Sequence, residues 1–217
     1  HRIRQRSERG GRGLSSPSIT VTLIAVIHVV VDCRWSVDYA SYLTSQKNFI
    51  VAEIDGRGSY GSGTSHMNRA RLKLGNLDAQ DQIAVVGYLR DNLKFVDKEK
   101  IGIFGSGYGG YLTGMILSQD TDIFHCGLSI SGIYSWPHYN SVWTERWLAT
   151  ANLTDNLRGY EESDLTRRVG NLKDRKYLVI HGTGDMVANY QHPMLLVKAL
   201  IQEGVLFKHI VSHALLF

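Results

Sequence analysis

The sequence predicts an α/β fold: one mostly parallel sheet with helices on both faces. Two observations carry that expectation. Short, β-branched apolar runs alternate along the chain with segments whose apolar residues recur at steps of three and four, the spacing of strand–helix–strand units. Midway, residues 101–114 read IGIFGSGYGGYLTG, a buried strand that breaks at a glycine-rich turn and restarts as a helix at Tyr108. With 217 residues there is room for one sizeable domain of this class and no second one.

The elements follow in order. Residues 1–18 are rich in Arg, Gly and Ser, carry no hydrophobic period and are expected to be a disordered tail, leaving 19–217 as the folded domain. Residues 19–31 (ITVTLIAVIHVVV) form the longest apolar run, 13 residues, well short of the roughly 20 that span a bilayer. Its β-branched content favours one or two buried strands. The arginines before it leave a targeting segment as the alternative. Residues 38–45 have helical spacing. FIVAEI (49–54) is a strand that stops at the turn cluster Asp55-Gly56-Arg57-Gly58-Ser59, followed by a long loop over 60–75. Ile83, Val86, Leu89 and Leu93 mark an amphipathic helix over 77–92. Strands are expected at 100–104, 126–130 (CGLSI), 177–180 (YLVI) and 207–211, helices from Tyr108 to about 118 and from Pro193 to about Gly204, and a short helix near 164–171.

Composition narrows the function classes. The formal net charge is +4, but Arg2, Arg4, Arg6, Arg9 and Arg12 supply more than that, so the body is near neutral and lacks the basic face of a nucleic-acid binder. The two cysteines, Cys33 and Cys126, form no CxxC and match no zinc spacing, so neither metal nor cofactor is expected; the pair is either two free thiols or one disulfide. Asn152-Leu153-Thr154 is an N-glycosylation sequon, relevant if the chain enters the secretory pathway.

Strand–turn–helix with G-x-S-x-G is the layout of a nucleophile elbow. Here the frame is Gly105-Ser106-Gly107-Tyr108-Gly109: both outer glycines are in place, but the nucleophile position is Gly107, and the nearest hydroxyl is one residue early, at Ser106. A hydrolase of this fold needs serine, acid and histidine in that chain order, the histidine to take the serine proton and the acid to hold the imidazole tautomer. After the elbow, Asp185 follows the strand YLVIHGTGD, and His209 and His213 are the late histidines.

Six stretches in sequence order, VAEIDGRGSYGSG (51–63), RLKLGNLDAQDQ (71–82), FGSGYGGYLTGMIL (104–117), FHCGLSISG (124–132), YNSVWTERW (139–147) and YLVIHGTGD (177–185), resemble the α/β-hydrolase domain of the prolyl oligopeptidase family, in its dipeptidyl peptidase IV branch. The likeness runs over about 35–210. It implies an α/β-hydrolase fold cut short at the C-terminus, where the family's last helix would cover one side of the sheet. It places the family nucleophile at Gly107, the acid at Asp185, a backbone oxyanion donor at Tyr108, and the pocket for a proline-like side chain at Tyr139 and Trp143. It maps the asparagine that follows the acid onto Val187. It finds no tyrosine in 25–34 for the second oxyanion donor and no D-x-x-H-G segment for the histidine, so His213 stands in its place. It implies that Cys126 pairs with a cysteine beyond residue 217 and that His181 makes a structural hydrogen bond; Arg57, in the turn DGRGS, reads as a structural ion-pair partner rather than a ligand clamp.

Two functions follow as expectations. In the first, the domain is catalytically inactive, like the non-catalytic members of the branch, and binds a peptide or membrane-protein partner outside the cell or tethered to its membrane. A homodimer is compatible with the resemblance. In the second, Ser106, Asp185 and His213 make a working serine exopeptidase that cleaves after Pro or Ala.

Overall fold

The computed structural model describes residues 3–5, 18–23, 37, 39–47, 49–119 and 122–213. Seven strands form one sheet: β1 (Ile3–Gln5), β2 (Ser18–Leu23), β3 (Phe49–Ile54), β4 (Ile101–Ser106), β5 (Cys126–Ile130), β6 (Lys176–Gly182) and β7 (Phe207–Ser212). Their order is β1-β3-β2-β4-β5-β6-β7. Every pairing is parallel except the edge pair β1–β3. The expected mostly parallel sheet is thus observed.

Two details depart from the sequence reading. Ile3–Gln5, in the segment expected to be disordered, pairs antiparallel with Ala52–Ile54 at the sheet edge. The first half of the 19–31 run is a central strand between β3 and β4, which favours the buried-strand alternative for those residues. The rest of that run, Cys33 and the 25–34 segment lie outside the described residues, as do 214–217.

The helices are α1 (Tyr39–Lys47), α2 (Thr64–Met67), α3 (Leu77–Asn92), α4 (Tyr108–Leu117), α5 (Ser141–Leu148), α6 (Leu157–Glu162) and α7 (Gln191–Gln202). Sequence spacing located α3 and α4 well. The 60–75 loop contains α2 and a 3₁₀ turn, and the short helix expected at 164–171 is two 3₁₀ turns, Leu165–Arg167 and Val169–Leu172. Helix α7 begins two residues before Pro193. The proline is tolerated there because an N–H in the first helical turn has no intrahelical acceptor to lose. Gly204, at φ +67°, closes that helix in the left-handed conformation.

Helix α4 is buried over all ten residues, so its apolar sequence on every side is required. It lies against β5, where the Ser129 hydroxyl donates to the Gly110 carbonyl at 2.8 Å. A side chain at Gly110 would bring a Cβ within 2.9 Å of the Ile130 carbonyl oxygen, so this close approach requires glycine. Because paired residues of a parallel sheet share a face, the register Ile103↔Gly127 and Gly105↔Ser129 puts Ile103 and Gly105 on the α4 side. Gly102, Phe104 and Ser106 are then on the other side, where Tyr39 of α1 meets Phe104 edge-on at 6.0 Å. That second face carries a cavity of about 780 Å³, lined by Tyr39, Leu43, Phe104, Leu128, Leu178 and Phe207 among others.

Candidate active site

Parallel strands deliver their functional groups at their carboxyl ends. Three backbone hydrogen bonds line up that edge here: Gly107 N–H to the Ile130 carbonyl (2.9 Å), Ser131 N–H to Ile180 (2.9 Å) and Thr183 N–H to Ser212 (2.8 Å). The elbow, the Asp185 loop and the end of β7 therefore stand side by side. None of them lines the large cavity on the sheet face, which is not the site of this chemistry.

The elbow keeps its backbone. Gly107 has φ +56° and ψ −118°, between the end of β4 and the first residue of α4. A Cβ built there meets no atom of the described residues within 4 Å. The position thus points away from the described residues at the tip of the turn, and it carries no group. Ser106 is still in the strand, paired with Ile130, and its side chain is on the α1 face of the sheet rather than at the tip. Tyr108 opens α4, so its N–H is among those a helix leaves without an intrahelical acceptor, as an oxyanion donor must be.

Asp185 is 5% exposed, and its Oδ1 accepts the N–H groups of Val187 and Ala188, each at 2.9 Å. Its Oδ2 has the His181 Nε2 at 3.7 Å, beyond hydrogen-bond length. His181 is fully buried. Its Nε2 must donate, because its partner at 2.6 Å is the Ala188 carbonyl. Burial lowers its pKa, against the opposing effects of Ala188 and Asp185, so the ring is neutral near pH 7. The structural hydrogen bond expected for His181 is present, and the ring's one N–H is committed to it. Two further histidines share this region. His192, at the start of α7, is fully buried with neither ring nitrogen partnered. Its pKa is pushed down to about 4, by burial first and then by the neighbouring His181 and His138. His209, on β7, stacks on Tyr190 at 6.5 Å, and burial lowers its pKa too.

His213 is exposed, one residue past β7. From β4 to β7 is three strand spacings, about 14 Å, farther than an imidazole reaches from its own Cα. Ser106 and His213 are thus at the same end of the sheet but out of reach of each other, and the Asp185 carboxylate is engaged with Val187, Ala188 and His181 rather than with either.

The aromatic residues are brought together. Tyr139 and Trp143 meet edge-on at 5.7 Å, Trp143 stacks on buried Trp136 at 5.0 Å, and the Tyr108 ring lies 6.1 Å from Trp143. Both Tyr139 and Trp143 are half-buried, so they present a surface to the site while packing on the core. The Asn140 side chain caps α5 by accepting the Trp143 N–H at 2.9 Å, which fixes this wall. Burial, and then the Asp185 charge, raises the Tyr139 pKa, which puts the acid within electrostatic reach of the pocket.

Sequence reasoning missed two residues. Asp78, inside LGNLDAQDQ, accepts a 2.5 Å hydrogen bond from the Tyr108 hydroxyl 30 positions later, and no spacing rule links the two. His192 carries no signal beyond its place before Pro193. Arg57 behaves as expected: it grips Asp81 through Nε and Nη2 at 2.6–3.0 Å. Cys126 is an unpaired thiol among the described residues, and those residues hold no cluster of metal-ligating side chains.

Comparison with known proteins agrees with this geometry. The prolyl oligopeptidase family profile matches residues 35–214. Venom dipeptidyl peptidase 4 of Vespula vulgaris is 39% identical over 80% of this chain, and dipeptidyl peptidase 4 of Bos taurus is 37% identical over 82%. In each case the chain spans 23% of the relative's length. The crystal structure of Porphyromonas gingivalis dipeptidyl peptidase 4 superposes with a TM-score of 0.83 at 31% identity, over 91% of this chain and 27% of that one. An elbow, aromatic wall and acid loop in this order, on this sheet, and the matches to its family profile and relatives make the chain a member of the prolyl oligopeptidase family, in its dipeptidyl peptidase IV branch.

Proposed function

We propose that this domain binds peptides or a protein partner without hydrolysing them. The observation that carries the reading is Gly107. The turn that would present a nucleophile is intact, with φ +56° and no described residue within 4 Å of a Cβ there, and the residue itself has no side chain. Loss of a triad nucleophile costs on the order of 10⁶ in turnover, because only the oxyanion hole and binding remain. The other parts support the same reading. His181 spends its N–H on Ala188, and His213 lies about three strand spacings from the elbow. What is kept is recognition surface: half-buried Tyr139 and Trp143, backed by the buried Tyr108 ring, form an aromatic wall on which an extended peptide with a small, ring-shaped side chain would pack.

The partner class is a peptide or the exposed segment of a membrane protein, met outside the cell or at its surface. One relative is named for venom, which supports an extracellular setting. Among the described residues no helix is long and apolar enough to cross a membrane.

The test is covalent labelling with a fluorophosphonate, together with hydrolysis of an Xaa-Pro chromogenic amide by the purified protein. The expected result is no labelling and no turnover above buffer. Turnover that disappears in Ser106→Ala would overturn this reading and install the exopeptidase of Ser106, Asp185 and His213 instead.

A further inference from the structure

We infer that Asn152 is a glycan acceptor in this protein. The inference rests on the extracellular reading above, since the modification requires entry into the secretory pathway. The sequon Asn152-Leu153-Thr154 has neither proline nor burial to block it. Residues 151–155 are all exposed, and they form the turn between α5 and α6. Exposure alone does not make an acceptor, and the hydrogen bonds of the turn add to it.

Within the turn, Thr154 donates twice to Asn152 Oδ1, from its backbone N–H at 3.1 Å and its hydroxyl at 2.9 Å. Asn152 Nδ2 donates one hydrogen to the Thr150 hydroxyl oxygen at 3.0 Å. A primary amide has two such hydrogens. Replacing the second with a sugar leaves a secondary amide that keeps both the Oδ1 acceptor and one N–H. The two bonds that Thr154 donates to Oδ1 are therefore untouched by modification, and one N–H remains on Nδ2 for Thr150. Asp155, which accepts from the Thr150 backbone N–H at 2.8 Å and from its hydroxyl, holds the turn independently of the sequon.

A second observation points to something covering this spot. Leu153 is 90% exposed at the tip of the turn, an apolar side chain held in water beside the acceptor nitrogen. A sugar on Asn152 would shield it. The eight-residue helix α5 also puts roughly 12 Å between its N-cap Asn140, beside Tyr139, and the turn, so a glycan here leaves the aromatic pocket open.

The chemistry is group transfer from a lipid-linked oligosaccharide diphosphate. Asn152 Nδ2 forms a bond to the anomeric carbon of the sugar. The bond from that carbon to the diphosphate oxygen breaks, and the lipid diphosphate leaves with its electron pair. The proton released from Nδ2 passes to a base of the transferase. Nothing is oxidised or reduced.

The experiment expresses the full-length gene product in a eukaryotic secretory host, once with its own N-terminus and once behind an added cleavable leader. The readouts are leader cleavage, a mobility shift on treatment with a peptide N-glycosidase, and mass spectrometry of the 152–154 peptide after release in heavy-oxygen water. The expected result is conversion of Asn152 to labelled Asp, lost in both Asn152→Gln and Thr154→Ala and retained in Thr154→Ser. A leader-processed protein that reaches the lumen with Asn152 bare overturns the inference. Modification behind the added leader, with none on the native N-terminus, instead overturns the extracellular reading on which it rests.

Discussion

The Tyr108 hydroxyl donates a 2.5 Å hydrogen bond to Oδ2 of Asp78, linking the first residue of α4 to the first turn of α3. Both side chains are buried. The carboxylate also accepts the N–H groups of Gly75 at 3.3 Å and Ala79 at 3.0 Å. Tyr108 packs against Trp143 and follows the glycine at the nucleophile position, so this bond ties the start of α4, next to the elbow, to α3.

Removing the carboxylate strands these donors in the core. Asp78→Ala is expected to destabilise the fold by at least about 2 kcal/mol, and Asp78→Asn, which keeps an oxygen acceptor, by less. The variants also carry a pH signature. Burial raises the Asp78 pKa, against the hydrogen bonds from Tyr108, Gly75 and Ala79, so the folded state holds its proton more tightly than the unfolded chain. Stability from this group is full below the ordinary carboxylate range and is lost as pH rises through the raised folded value. Denaturant melts across that window should show the wild type losing stability relative to Asp78→Asn as pH rises. A constant difference would show that Asp78 ionises as freely in the fold as outside it.

Gly107→Ser tests whether the elbow lacks only its side chain. The left-handed backbone there strains any L-residue by about 1–2 kcal/mol, but the Cβ meets no atom of the described residues within 4 Å, so the variant should fold. A fall in Tm of roughly 3–6 °C is the expected reading. Hydrolysis of the Xaa-Pro amide should stay at the buffer level, because no described histidine contacts both position 107 and Asp185. Rapid fluorophosphonate labelling of the variant would show instead that a base lies within reach and that the inactivity resides in one residue.

How much of this was legible in the sequence depends on what each feature rests on. The elbow, the parallel sheet and α3 were legible because local period and glycine placement generate them. Asp185 was found because it follows a strand end, where this class of sheet collects its functional groups. The Asp78–Tyr108 bond and the buried His192 were not legible, since each is fixed by tertiary packing between segments with no pattern in common. Ser106 shows the opposite limit. Adjacent in sequence to the nucleophile position, it is turned onto the other side of the sheet by the two-residue period of a strand. The edge strand Ile3–Gln5 was missed because three residues, one apolar and two polar, are too few to carry a periodic signal.

The Arg57–Asp81 pair should act as the clamp between the turn after β3 and α3. Asp81 accepts from Nε, from Nη2 at 2.6 Å and from the Arg57 backbone N–H at 2.7 Å. The Arg57 side chain is 29% exposed, which weakens the pair by solvent screening, so Arg57→Ala is expected to cost only about 1–2 kcal/mol. Arg57→Lys should recover little of that loss, because an ammonium cannot reproduce the two-pronged contact. Burial pushes the Asp81 carboxyl up, but the hydrogen bonds and charge of Arg57 outweigh it, and the net pKa is lowered. The stability it contributes is therefore present above the ordinary carboxylate range and lost as pH falls through the lowered folded value. Urea melts at pH 7 and pH 3 should show the gap between wild type and Asp81→Asn closing in acid.

His192 should govern how the domain responds to mild acid. It is fully buried, and its pKa of about 4 lies well below the ordinary 6.5. The groups around it that carry or gain charge are His181 and His138, which repel the imidazolium, and Asp185, which attracts it and loses that contest. A depressed folded pKa means that the stability is complete above pH 6.5 and drains as pH falls toward 4, by about 2 kcal/mol at pH 5 and on the order of 3 kcal/mol in all. His192→Leu removes the titrating ring and, with it, two unpartnered buried nitrogens. It should therefore flatten the stability profile between pH 4 and 6.5 and match or exceed the wild type at pH 5. An unchanged slope in His192→Leu would move the acid response to His181 or His209, whose pKa values burial also lowers, and the corresponding single variants would then separate those two.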